Sequence, residues 1–127
     1  MNRAPGCANN LSQLGRLLQV HQARQGGRVP AATGGQFWLA FGTTTPPLIH
    51  PSDAEILSCP VKGDPEPGET DYRGPRGAYD ALAPDDPLGA DREGSHEEYG
   101  CILRKDGSVE IAPSVALWNR AAVRLQD

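Results

Sequence analysis

The sequence predicts an α+β fold: an N-terminal amphipathic helix packed on a small antiparallel β-sheet, with loops elsewhere. Three observations carry this. Cys7, Leu11, Leu14, Leu18 and His21 recur at spacings of four, three, four and three, which places them on one helix face, and Leu17 widens the stripe. Asp106-Gly107 stands between two β-prone segments, a strong short-range hairpin signal. Gly and Pro supply 15 and 12 of the 127 residues, so much of the chain must turn rather than run.

The helix is expected over residues 7–25. Pro5 suits a first helical turn, where its missing N–H costs nothing. Gly26-Gly27 favours a left-handed cap, and Pro30 blocks a restart. Residues 30–98 read as a loop-rich middle. Within it, Phe37-Trp38-Leu39-Ala40-Phe41 is the most concentrated apolar run, suited to a short helix or a strand that covers one end of the first helix. Ser52 or Asp53 can cap a single turn before Ile56-Leu57. Asp71 to Pro75 reads as a short extended piece ending in a turn. The hairpin is expected over 99–112, with Val109 and Ile111 alternating with Ser108 and Glu110 as in a strand with one wet face. Val115, Leu117, Trp118, Ala121, Ala122 and Leu125 have helical spacing, so a C-terminal helix is expected over 114–125. There are no repeats, and the length fits one domain over 1–127.

Composition narrows the function classes. The net charge is −4 and the Lys and Arg residues are scattered, so no concentrated positive face exists to neutralise a nucleic-acid backbone. No run of about eighteen apolar residues is present to span a membrane, and no apolar core of a signal peptide follows Met1. The chain is therefore expected either to be cytoplasmic or to have lost an N-terminal segment. Hydrophobic residues at 38% still allow a small core.

Chemistry-bearing patterns are sparse. No Gly-x-Ser-x-Gly, phosphate-binding Gly loop or His-Glu-x-x-His is present, and no enzyme is expected. Cys7, Cys59 and Cys101 form no CxxC pair. One disulfide with a spare thiol, or three free thiols, both fit, and Cys59 with Cys101 is the favoured pair. Cys59, His96 and Cys101 lack an obvious fourth zinc ligand. Calcium fits better, because Asp80 to Glu93 offers hard oxygens, with Asp85, Asp86, Asp91 and Glu93 as candidate ligands. Their spacing is not that of an EF-hand, and a solvated acidic loop explains them as well. His96 is expected to donate to a backbone carbonyl across the hairpin.

The order of short motifs adds a resemblance. Cys-x-Asn-Asn-Leu-x-Gln-Leu-Gly runs from Cys7 to Gly15, and Gly-x-x-Pro from Gly27 to Pro30. An aromatic segment follows at Phe37-Trp38-Leu39, then Leu-x-Cys-Pro at Leu57 to Pro60 and Tyr-Arg-Gly-Pro at Tyr72 to Pro75. Last comes His96, nine intervening residues and Asp106-Gly107, running into Ser-Val-Glu. Over most of its length the chain resembles the soluble part of bacterial type IV pilin-like proteins. It is more closely similar to type II secretion pseudopilins and to prepilin-type proteins with a C-terminal His-x9-Asp-Gly motif.

That resemblance implies a pilin-like fold and a structural role as a filament subunit. His96, Asp106 and Gly107 would be motif residues, and other pilin or pseudopilin subunits and the assembly machinery would be partners. It implies a periplasmic or cell-surface location, anchored in the inner membrane by an N-terminal apolar helix, in a precursor whose N-terminus a prepilin peptidase cleaves and methylates. Two departures stand out. The apolar half-helix is missing here, and Pro5-Gly6 falls where relatives continue a charged helix, so the link is kinked or the chain starts at Met1. Calcium in the major pseudopilins is held by a C-terminal loop, whereas the acidic residues here precede the hairpin. The competing readings are a calcium-dependent cell-surface binding module and a small enzyme using Cys101 and His96.

Overall fold

A computed structural model describes residues 4–44, 47–49, 56–57, 70, 72–77, 79–91, 100–112 and 114–126. The chain is α+β. Helix α1 spans Ala4–Arg24, and α2, Gly35–Leu39, runs into a 3-10 turn at Ala40–Gly42. Strands β1 (Tyr72–Pro75), β2 (Pro87–Asp91), β3 (Cys101–Arg104) and β4 (Val109–Ile111) come next, then α3 (Val115–Ala122) and β5 (Leu125–Gln126). The sheet order is β4-β3-β2-β1-β5, with every neighbouring pair antiparallel.

The α1 stripe does what its period requires. Leu11, Leu14 and Leu18 are buried, while Arg16, Gln19, Val20, Ala23 and Arg24 face water. The helix closes with Gly27 N donating to Gln22 O at 2.7 Å, and Gly26 and Gly27 take φ of 65° and 88°, a region that costs residues with a Cβ. Gly15 lets α1 sit close on the sheet, where an added Cβ would lie 3.2 Å from Leu103 Cδ1.

The sheet has helices on both faces. Along β3 the alternation of a strand sends Cys101 and Leu103 into the core shared with α1 and α2, and Ile102 into the core under α3 with Trp118, Ala121 and Ala122. The aromatic run is a helix. Phe37, Trp38 and Phe41 are buried, with the Phe37 and Trp38 rings edge-on at 4.9 Å. Trp38 Nε1 donates to Arg73 O at 2.9 Å, tying α2 to β1.

Three expectations need correction. In the loop-rich 30–98 segment the aromatic run and the extended piece at 71–75 appear as α2 and β1, but β2 was not expected. It escapes sequence detection because it reads Pro-Leu-Gly-Ala-Asp: Gly and Pro hide the β signal, and β2 is buried throughout, which erases alternation. The C-terminal helix stops at Ala122, with Ser114 as its N-cap, and does not reach 125. Leu125 keeps helical spacing but enters β5, where Pro75↔Leu125 and Gly74↔Gln126 give the outer side of β1 its strand partner. In β4, Ile111 is 39% exposed rather than core. The hairpin itself turns through three residues, Lys105 to Gly107, with Arg104 N donating to Ser108 O at 2.9 Å and Gly107 at φ 92°.

Candidate functional site

Strand β2 separates two polar clusters, one at each end. At its entry the 79–86 loop is fastened to the β3–β4 turn. Lys105 N donates to Asp86 O and Asp106 N to Pro84 O, both at 2.9 Å. Lys105 Nζ donates to Leu82 O at 2.7 Å and lies 4.6 Å from the centre of the Tyr79 ring. Arg104 Nη1 donates to the Asp85 carbonyl at 2.9 Å, and Arg104 Nη2 pairs with Glu110 Oε1 at 2.8 Å.

The carboxylates here are engaged in this fastening. Asp86 accepts from Ala83 N at 2.9 Å and pairs with Arg124 Nη2 at 3.2 Å. The Ala83 amide, and then Arg124, hold its pKa below the ordinary 3.8. Asp106 accepts from the Ser108 hydroxyl at 2.6 Å and from Ser108 N at 2.9 Å. Those two bonds, the hydroxyl first, lower its pKa as well. Asp106 and Gly107 thus have turn-building roles: one caps the turn and the other supplies its left-handed residue.

Because both folded-state values are depressed, the contribution of Asp86 and Asp106 is present above their unfolded values. It is lost as pH falls through the folded ones. Thermal unfolding should therefore show its midpoint dropping below about pH 4, and an Asp86→Asn, Asp106→Asn double variant should lose that part of the slope. An unchanged acid limb in the double variant would show that other carboxylates control it.

At the exit of β2 lies the second cluster. Asp91 is fully buried, and its Oδ1 accepts from Trp118 Nε1 at 2.6 Å and from Cys101 N at 3.1 Å. The Arg73 guanidinium lies 5.6 Å from the centre of the Trp118 ring, and Arg73 Nη1 donates to Ala122 O at 3.2 Å. Gly100 is required beside this group, since an added Cβ would meet Asp91 Oδ1 and the Trp118 indole. The cluster fastens α3 to the sheet.

Of the expected calcium ligands, Asp86 and Asp91 are therefore not gathered. Asp86 and Asp91 stand at opposite ends of β2, roughly 15 Å apart by strand rise, and Asp85 is exposed beside Asp86. No three His, Cys, Asp or Glu side chains converge among the described residues. Glu93 and His96 lie outside the described residues, as does Cys59, the expected disulfide partner of Cys101. Cys101 itself is buried in the core shared with α1 and α2. A nucleophilic thiolate needs access to its substrate, which this burial opposes.

Sequence reading gave Arg73 and Trp118 no site role and offered Asp91 as a calcium ligand or a solvated loop residue. The available signal was Trp118 itself, whose indole N–H needs an acceptor once buried. Val29, Pro30, Thr33, Phe37, Tyr79 and Asp80 line an open groove of about 350 Å³. No described helix is long and apolar enough to cross a membrane. Neither family models, curated proteins nor solved structures match the chain.

Proposed function

We propose that the chain is the globular domain of a structural subunit of a type IV pilus-like or type II secretion pseudopilus filament. The observation that carries this reading is the placement of α1. A helix of 21 residues opens the fold and buries one face on an antiparallel sheet, while the opposite face, from Asn9 to Arg24, meets water. A subunit that packs through its helix needs such a free face. The ordered motifs from Cys7 to Asp106-Gly107 add support. Both polar clusters described above fasten elements together, as suits a structural module.

In this reading the partners are further copies, related subunits and the assembly machinery. The domain works in the periplasm or at the cell surface, tethered through an upstream apolar helix. The test uses cells expressing the intact gene from its own start. An antibody against this chain should label material in the envelope and in filaments sheared from the cells. A chain confined to the cytoplasmic fraction overturns the proposal.

A further inference from the structure

The sheet ends on β4, and no described strand lies beyond it. The bonds at its two ends fix which way its backbone faces. Arg104 N donates to Ser108 O and Ala112 N to Gly100 O, both at 2.9 Å. Along an antiparallel strand, successive residues turn their N–H and C=O toward opposite sides. Ser108, Glu110 and Ala112 therefore face β3, with Glu110 opposite Ile102. Val109 and Ile111 turn theirs outward, and among the described residues nothing bonds to them there. Edge strands are commonly guarded by a proline, a bulge or an unmatched charge. Strand β4 reads Val-Glu-Ile, keeps a regular register, and its one charge is matched by Arg104 at 2.8 Å.

We infer that β4 pairs with β4 of a second copy, antiparallel and about a two-fold axis. The backbone allows one such register. With Glu110 at the axis, Val109 meets Ile111 of the second copy on either side, and all four outward-facing residues bond. An axis at Ile111 would pair Val109 with Pro113, which has no N–H to give. An axis at Val109 would call on Gly107, whose N–H is spent on Arg104 O. The side chains fit the same register. On the α1 face it sets the exposed Ile111 against Val109, a β-branched pair on each side of the axis. On the other face the two Glu110 carboxylates meet, which is unfavourable, but each keeps its own Arg104 and the group carries no net charge. A two-fold contact uses the same patch on both copies, so it closes at a dimer. Three residues a side make it weak, with association expected at about 0.1–1 mM chain. It leaves the outer side of α1 untouched and stands or falls independently of the filament reading.

Sedimentation of the full chain up to about 1 mM tests it. The average mass should climb toward a dimer and stop there. Amide exchange followed by NMR should slow about twofold at Val109 and Ile111 over the same range, while Glu110, already bonded to β3, stays unchanged. Ile111→Pro removes an outward N–H and no bond to β3, so the chain should fold, as circular dichroism checks, yet associate about tenfold more weakly. Glu110→Thr removes the like charge at the axis and should strengthen association about threefold. A parent chain monomeric at the highest concentration, outward amides that exchange alike throughout, or an Ile111→Pro chain that folds and associates like the parent each overturn the pairing. A Glu110→Thr chain that associates more weakly overturns the register. Should Ile111→Pro lose its fold, the exchange pattern of the parent decides alone.

Discussion

Replacing Asp91 by alanine should destabilise the fold by about 3–5 kcal/mol. The substitution strips the acceptor from two buried donors, Trp118 Nε1 at 2.6 Å and Cys101 N at 3.1 Å. Each stranded donor costs about 1–3 kcal/mol. It also loosens Trp118, on which the Arg73 guanidinium stacks. Asp91→Asn keeps an oxygen where Oδ1 sits, so it should cost about half as much or less. Urea unfolding of the three proteins, followed by tryptophan fluorescence, makes the comparison, with the α3 end of the molecule expected to loosen first. Equal losses for Ala and Asn would mean that the charge of Asp91, rather than its acceptor geometry, holds α3 in place.

Gly74→Ala is the second large effect expected, at about 3 kcal/mol or more. A Cβ at position 74 would overlap the Gly34 carbonyl and lie 3.3 Å from Phe37 Cβ. A backbone carbonyl cannot rotate aside as a side chain can, so α2 must lift from β1. Lifting it disturbs two bonds that cross the same gap, Gly34 N to Pro75 O at 2.8 Å and Trp38 Nε1 to Arg73 O at 2.9 Å. Trp38, Phe37 and Phe41, all buried, would lose packing with it. Gly77→Ala is the matched control, because nothing lies within 4 Å of its added Cβ, and it should change stability by less than about 0.5 kcal/mol. If Gly74→Ala matches that control in chemical denaturation, the α2–β1 contact is softer than its geometry implies.

Both predictions concern residues that the sequence does not advertise. Asp91 reads as one more acid in an acidic stretch, and Gly74 as part of a Gly-Pro turn. Charge counted along the chain says nothing about which carboxylate a strand will carry inside. Trp118, which defines the role of Asp91, is 27 residues away. Gly34, which makes Gly74 necessary, lies in another segment altogether. The same holds within the expected calcium set: Asp86 and Asp91 are near in sequence, but an extended strand sets them at opposite ends of β2. In a tight loop the same spacing could have let them converge.

By itself the sequence determined two elements. The α1 helix follows from apolar residues at helical spacing and a double glycine that ends it. The β3–β4 hairpin follows from Asp106-Gly107, where one side chain caps the turn and the next residue accepts a positive φ. Both depend on neighbours within a few residues, which a linear reading contains. Tertiary structure decided what no local pattern shows: strand β2 in its Gly- and Pro-bearing segment, the return of Leu125 to the sheet edge, and the burial of Asp91 under Trp118. Those outcomes depend on partners tens of residues apart, and only the packing of the two helical layers on the sheet brings them into contact.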